Sequence, residues 1–299
     1  MLVVIVGVVS ALVFGAADFL GGLAAKRIAA VRVTAITGAV GLTVMLALLP
    51  LLGGAFSPEA ALLGALSGVT GSIAIVLLYA CLAIGPMSIL SPLTAVVSAI
   101  VPLTAGLIRG ESLSTIGYIA IGIALVAVVL VGFVPAKADG PSPTRWARLR
   151  SASEGAVRPS LKGILMAIGS GAMIGAFLII IDLTPADSGL IPLVFNRATS
   201  SLIMFAVVGV LLLTGRGGSG GWRPGLALAI ACGVVDAVAN AGLLLGLRLG
   251  ELSIVSVLTA LYPAGTIILA AIVLRERIAI VQYAGLALAI TAAAMLALA

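Results

Sequence analysis

The segment from Gly85 to Glu111 (GPMSILSPLTAVVSAIVPLTAGLIRGE) returns 165 positions later as Gly250 to Glu276 (GELSIVSVLTALYPAGTIILAAIVLRE). At that offset Gly85 matches Gly250, Ser88 matches Ser253, Thr94 matches Thr259, and Glu111 matches Glu276. Tyr118 and Tyr283 extend the match. A duplication inside an apolar chain points to a membrane protein made of two related halves, the usual plan of a secondary transporter.

Water is not the solvent for most of this chain. Hydrophobic residues make up 62% and charged residues 9%, where a soluble domain has roughly 25% charged residues. Crossing the hydrocarbon core takes about 20 mostly apolar residues. Ten stretches qualify: roughly 2–24, 31–52, 60–83, 87–108, 113–134, 161–182, 190–213, 224–247, 251–274 and 278–298. The expected fold is an all-α membrane protein with ten transmembrane helices. Residues 1–134 form a first five-helix repeat, 135–160 a basic proline-rich linker, and 161–299 a second repeat. The linker carries Pro135, Pro141, Pro143 and Pro159 and has no apolar periodicity, so it buries too little surface to order itself. It joins the halves; a contact with anionic lipid through Arg145, Arg148 and Arg150 is the other reading. Met1 to Gly22 lacks the basic start of a signal peptide and is interrupted by Asp18, so it reads as the first span. Cys81 and Cys232 read as small buried hydrophobes. With no histidine and no metal-ligand spacing, neither a metal nor a cofactor is expected.

Five spans per half is an odd number, so matching loops must face opposite sides of the bilayer. The charges agree. The loop after span 1 carries Lys26, Arg27 and Arg32, whereas its counterpart after span 6 carries Asp182 and Asp187 and no base. Loops after odd-numbered spans hold 13 bases in all, and the other side holds only Arg109 and Arg248. The positive-inside rule places the base-rich loops in the cytoplasm and both termini outside, as two inverted halves require. The net charge of +6 is thus topology information and not a nucleic-acid surface. A preference for Arg over Lys, with abundant Ala and Gly, suggests a prokaryotic inner (cell) membrane.

An ionisable group at the centre of a span costs roughly 2.5–3.5 kcal/mol on insertion scales, so each one needs a reason. Asp236 lies about 12 residues into span 8, near the midplane, and Asn240 shares its face by i,i+4 spacing. Their first-half counterparts are Gly71 and Ile75, so any site there is asymmetric. Asp236 serves either a substrate or proton, or a structural helix–helix bond. On the first reading Asp236→Asn abolishes proton-driven flux and leaves the protein folded. Asp18 lies in the last third of span 1. Arg197, in span 7, either snorkels to an interface or pairs with a carboxylate. Asp182 closes span 6 at the surface, and Glu111 and Glu276 anchor helix ends. Tyr79 and Tyr262 either face a cavity or sit at an interface. Pro92, Pro102 and Pro263 are expected to interrupt spans 4 and 9, and paired broken helices mark a substrate site.

These residues resemble the EamA-type branch of the drug/metabolite transporter superfamily. The resemblance rests on Leu77 to Glu111 and Leu243 to Ile278, with FGAADF (Phe14 to Phe19) and PLVFNRATSSLIMF (Pro192 to Phe205). It implies two inverted five-helix repeats, with spans 1, 3, 4, 6, 8 and 9 around a cavity and spans 5 and 10 at the periphery. It also implies export or exchange of small metabolites, often amino acids or related compounds, by alternating access. A small-molecule substrate and membrane lipid are the expected partners, with protons where Asp236 couples the cycle. Carried onto this chain, the cavity candidates are Asp18, Tyr79, Asp236, Asn240 and Tyr262. The Arg often found in the second helix of a repeat is present as Arg197, but Gly38 stands at the first-half position.

Other classes fit less well. An intramembrane serine protease needs a base, and Ser170 has no histidine to activate it. Asp18 and Asp236 lack the GxGD context of an aspartyl dyad. No charged ring or carbonyl filter suggests a channel, and no phosphate-cradling GxxxxGK[ST] loop suggests a nucleotide-driven pump. A passive channel or membrane scaffold remains the alternative to the transporter.

Overall fold

The computed structural model describes residues 1–84, 87–132, 160–215, 221–275 and 278–298. The proline-rich linker, Ser160 apart, lies outside them, as does Glu276. The described chain is helical: α1 Leu2–Ala25, α2 Ala30–Leu52, α3 Pro58–Ile84, α4 Met87–Ile108, α5 Thr115–Gly132, α6 Leu161–Asp182, α7 Ile191–Leu213, α8 Arg223–Leu249, α9 Leu252–Thr259, α10 Tyr262–Val273 and α11 Ile280–Leu298. Together α9 and α10 make one broken span, so ten segments are long and apolar enough to cross a bilayer. Helix starts follow local chemistry. The hydroxyls of Ser57, Ser114 and Ser160 accept from the N–H groups of Ala60, Gly117 and Gly163 to cap α3, α5 and α6. Pro192, Pro224 and Pro263 open α7, α8 and α10, where a missing N–H costs no helical bond.

The packing is inside-out relative to a soluble protein. Ala24, Ala35, Ala99, Ala124, Ala167 and Ala229 are fully buried, while Leu202, Leu213 and Ile290 are more than 70% exposed. Small residues let helix backbones approach, and the large aliphatics face a solvent as apolar as themselves.

Most helices fall into two bundles, each drawn from both halves of the chain. In the first, α3 and α4 pack on α6, and α3 packs on α7; in the second, α8 packs on α1 and α2, and α10 packs on α1. Gly68 and Gly233, 165 positions apart, show why. A Cβ on Gly68 would sit 3.0 Å from Thr199 of α7, and one on Gly233 would sit 2.7 Å from Val40 of α2. Each half's third helix thus lies against the second helix of the other half. The bundles meet where α2 crosses α7 and where α4 meets α9, and α5 and α11 pair alongside.

The broken helices differ from expectation. Span 9 breaks at Ala260 and Leu261, because Pro263 has no N–H for the Thr259 carbonyl. Span 4 does not break: α4 runs through Pro92 and Pro102. The hydroxyls of Ser98 and Thr104 bond to carbonyls of the preceding turn. Gly171 and Gly175 bring α6 against Thr94, Val97 and Val101, bracing the helix from outside.

Candidate functional site

Gly15 and Gly265 bring α1 and α10 into backbone contact. A Cβ on Gly15 would lie 2.6 Å from the Thr266 nitrogen, and one on Gly265 would lie 2.7 Å from the Leu12 carbonyl oxygen. The Thr266 hydroxyl donates to the Gly15 carbonyl at 3.1 Å. Gly15→Ala should therefore cost about 1–3 kcal/mol by overpacking. Gly22→Ala, with nothing within 4 Å, is the control. Thermal unfolding in detergent should separate the two, with Gly15→Ala the lower.

One turn beyond Gly15, Asp18 is exposed and has no hydrogen-bond or ion-pair partner among the described residues. Protein nevertheless surrounds it, with Asp236 and Tyr262 within electrostatic reach. Such a setting fits the wall of a hollow between α1, α8 and α10. The Cys232 thiol donates to the Ala17 carbonyl at 3.2 Å and ties α8 to α1 beside it. Tyr262 opens α10 just past the break. There the buried Thr259 hydroxyl has no partner among the described residues.

Asp236 has a different setting. Its Oδ2 meets an Arg197 terminal nitrogen at 2.5 Å, and both side chains are largely buried. Asn240 donates to the Asp236 carbonyl at 2.8 Å and its Oδ1 at 3.3 Å, on the shared face the spacing predicts. Arg197 pairs and does not snorkel. It runs along α2 where Gly41 leaves room: a Cβ there would be 3.3 Å from Arg197 Cδ. Gly38 likewise faces Ser201, so the first-half position that lacks the arginine is where α2 receives α7. The pair also joins the two bundles.

The structure therefore gathers Asp18, Asp236 and Tyr262 about one hollow, with Arg197 and Asn240 holding Asp236. The side chain of Tyr79 lies outside the described residues. Asp182 is not a bare surface group: it pairs with Arg109 at 2.6 Å. Among the described residues α4 packs against α9 and makes no comparable contact with α10. A second concavity of about 200 Å³, lined by Val69, Ile73, Val76 and Ile203, is an apolar groove between α3 and α7 among exposed side chains and carries no ionisable group. Sequence reasoning missed Cys232, Arg248 and Thr184 as polar partners; nothing but proximity in the fold singles them out.

Residues 161–298 match the model of the EamA-like transporter family. No curated protein matches the chain. The crystal structure of another protein has a TM-score of 0.73 at 15% identity, covering 99% of this chain and 98% of that one. At that identity it shows the fold alone, and it extends the likeness across both halves. With ten candidate spans, the EamA-like chain is a multi-pass membrane protein. The family matched over residues 161–298 is one of membrane transporters of the drug/metabolite type.

Proposed function

We propose that the chain is a secondary transporter that exports small metabolites, amino acids or related compounds, from a prokaryotic cell across its inner membrane by alternating access. The two halves are inverted repeats in this reading, and the base-rich end faces the cytoplasm. The matched glycines and the exchange of helices between bundles support the inversion.

One observation carries the functional reading: Asp18 is open to the hollow without a partner, while Asp236 is committed to Arg197. A lone carboxylate on such a wall needs a cation from outside, either a proton or the ammonium group of a substrate. The coupling role thus falls to Asp18, with Tyr262 beside it, and Asp236 becomes the group that positions Arg197. A thermal-shift screen of the purified protein against amino acids, nucleosides and small cationic drugs tests this. Stabilisation by amine-bearing compounds, lost in Asp18→Asn, is the expected result. Stabilisation that survives Asp18→Asn places the ligand elsewhere.

A further inference from the structure

The bonds that tie one bundle to the other are not spread evenly along their seam. Among the described residues they gather, the midplane Arg197–Asp236 pair apart, at the end opposite the base-rich loops. Glu111, in the loop after α4, crosses to the second bundle and accepts from the backbone N–H groups of Leu252 and Ser253, each at 3.0 Å. A carboxylate at this N-terminus of α9 meets two unsatisfied donors and the positive end of the helix dipole. Gly106 leaves the space it occupies: a Cβ there would lie 2.6 Å from the Glu111 carboxyl carbon. The Ser253 hydroxyl donates back to the Leu103 carbonyl at 3.3 Å. A second clasp runs the other way. Arg248, in the last turn of α8, donates to the Thr184 carbonyl at 2.6 Å, the Thr184 hydroxyl at 2.5 Å and the Pro185 carbonyl at 3.0 Å, all in the loop after α6. Beneath them Leu178, Ile181, Leu193, Leu243, Leu247 and Leu252 form one buried core shared by both bundles.

We propose that Glu111 and Arg248 are the two clasps of a gate, holding the hollow shut at the base-poor face, and that both must part before it opens there. The crossing of α2 and α7, where Gly38 receives Ser201, is the contact about which the bundles turn. The inference rests on the alternating-access reading above and adds to it the residues that close one side.

Glu251 gives the gate a sign that a general surface effect would not have. It stands at the N-cap of α9, but its side chain makes no cap bond, because Glu111 from the other bundle caps instead. Burial and the Glu111 charge hold the Glu251 carboxyl above the usual carboxylate range. Glu111 therefore holds the seam and Glu251 pushes against it. Glu111→Gln and Glu251→Gln remove the same charge at the same helix end and should act oppositely.

The test uses the full chain in lipid nanodiscs, with Cys81 and Cys232 replaced by alanine and spin labels on Ser112→Cys and Leu249→Cys, both exposed positions flanking the seam. Dipolar distance measurements should give one short distance in this parent. Glu111→Gln should raise the long-distance to short-distance ratio about tenfold, the worth of one charge-assisted hydrogen bond. Arg248→Lys, which keeps the charge but loses the fork, should act the same way and serves if Glu111→Gln fails to accumulate. Glu251→Gln should keep the short distance and raise the thermal midpoint. Parent-like distances in both clasp variants, or a longer distance in Glu251→Gln, would overturn the gate. Saturable flux in proteoliposomes alongside that outcome would leave the carrier standing without it.

Discussion

Asp236→Asn should destabilise the folded protein by about 3–5 kcal/mol, because it leaves the Arg197 charge buried without its partner. The ion pair in the structure replaces the expectation that this substitution is silent for folding. Arg197→Met should cost a similar amount by stranding Asp236. The double variant should cost less than the sum of the two, since it strands no charge. Arg197 Nε already lacks a hydrogen-bond partner among the described residues, so losing Asp236 strips the guanidinium further. Thermal or SDS unfolding of the four proteins in one detergent measures the coupling. Additive losses would mean that the two side chains do not act as a pair.

Asp18→Asn should leave the fold intact and damage transport. Asp18 makes no bond among the described residues that the amide would break, and its replacement keeps the side chain's shape. A charge-assisted hydrogen bond to a substrate ammonium contributes about 1.5–3 kcal/mol. Its loss should weaken binding of an amine-bearing substrate about 10–100-fold, at 1.4 kcal/mol per tenfold. If the proton is the coupling ion, the variant should also lose acceleration by a pH gradient while retaining exchange of substrate for substrate. Wild-type affinity and wild-type pH response in Asp18→Asn would remove this carboxylate from the cycle. On the proposed reading the two carboxylates divide the work: Asp236 supports the fold and Asp18 serves the ligand.

The helices were legible because length and hydropathy alone decide whether a segment can span lipid, and each observed boundary lies within about four residues of the expected one. Asn240 on the face of Asp236 was legible too, because i,i+4 spacing is local. The partner of Asp236 was not. Arg197 is 39 positions away in sequence and meets it because α7 and α8, neighbours in one half, are dealt to different bundles. Prolines mislead for a similar reason. Pro263 breaks its span and Pro102 does not, and the difference lies in hydroxyls of α4 itself and in the α6 glycines packed against it. Glu111 was expected to anchor a helix end, and it does, but the helix belongs to the other half of the chain. Contacts within one helix can be read from spacing; contacts across a duplicated fold depend on how its copies interlock.

Counterflow in proteoliposomes puts the central claim to the most direct test. The vesicles hold the purified chain and no nucleotide, loaded with an excess of the compound that gives the largest thermal shift, and a labelled trace of it is added outside. A carrier that exposes Asp18 to one side at a time predicts transient, saturable accumulation of label above its external concentration, reduced at least tenfold in Asp18→Asn. Equilibration without overshoot, rising linearly with concentration and indifferent to that substitution, would show a passive pore and contradict the account.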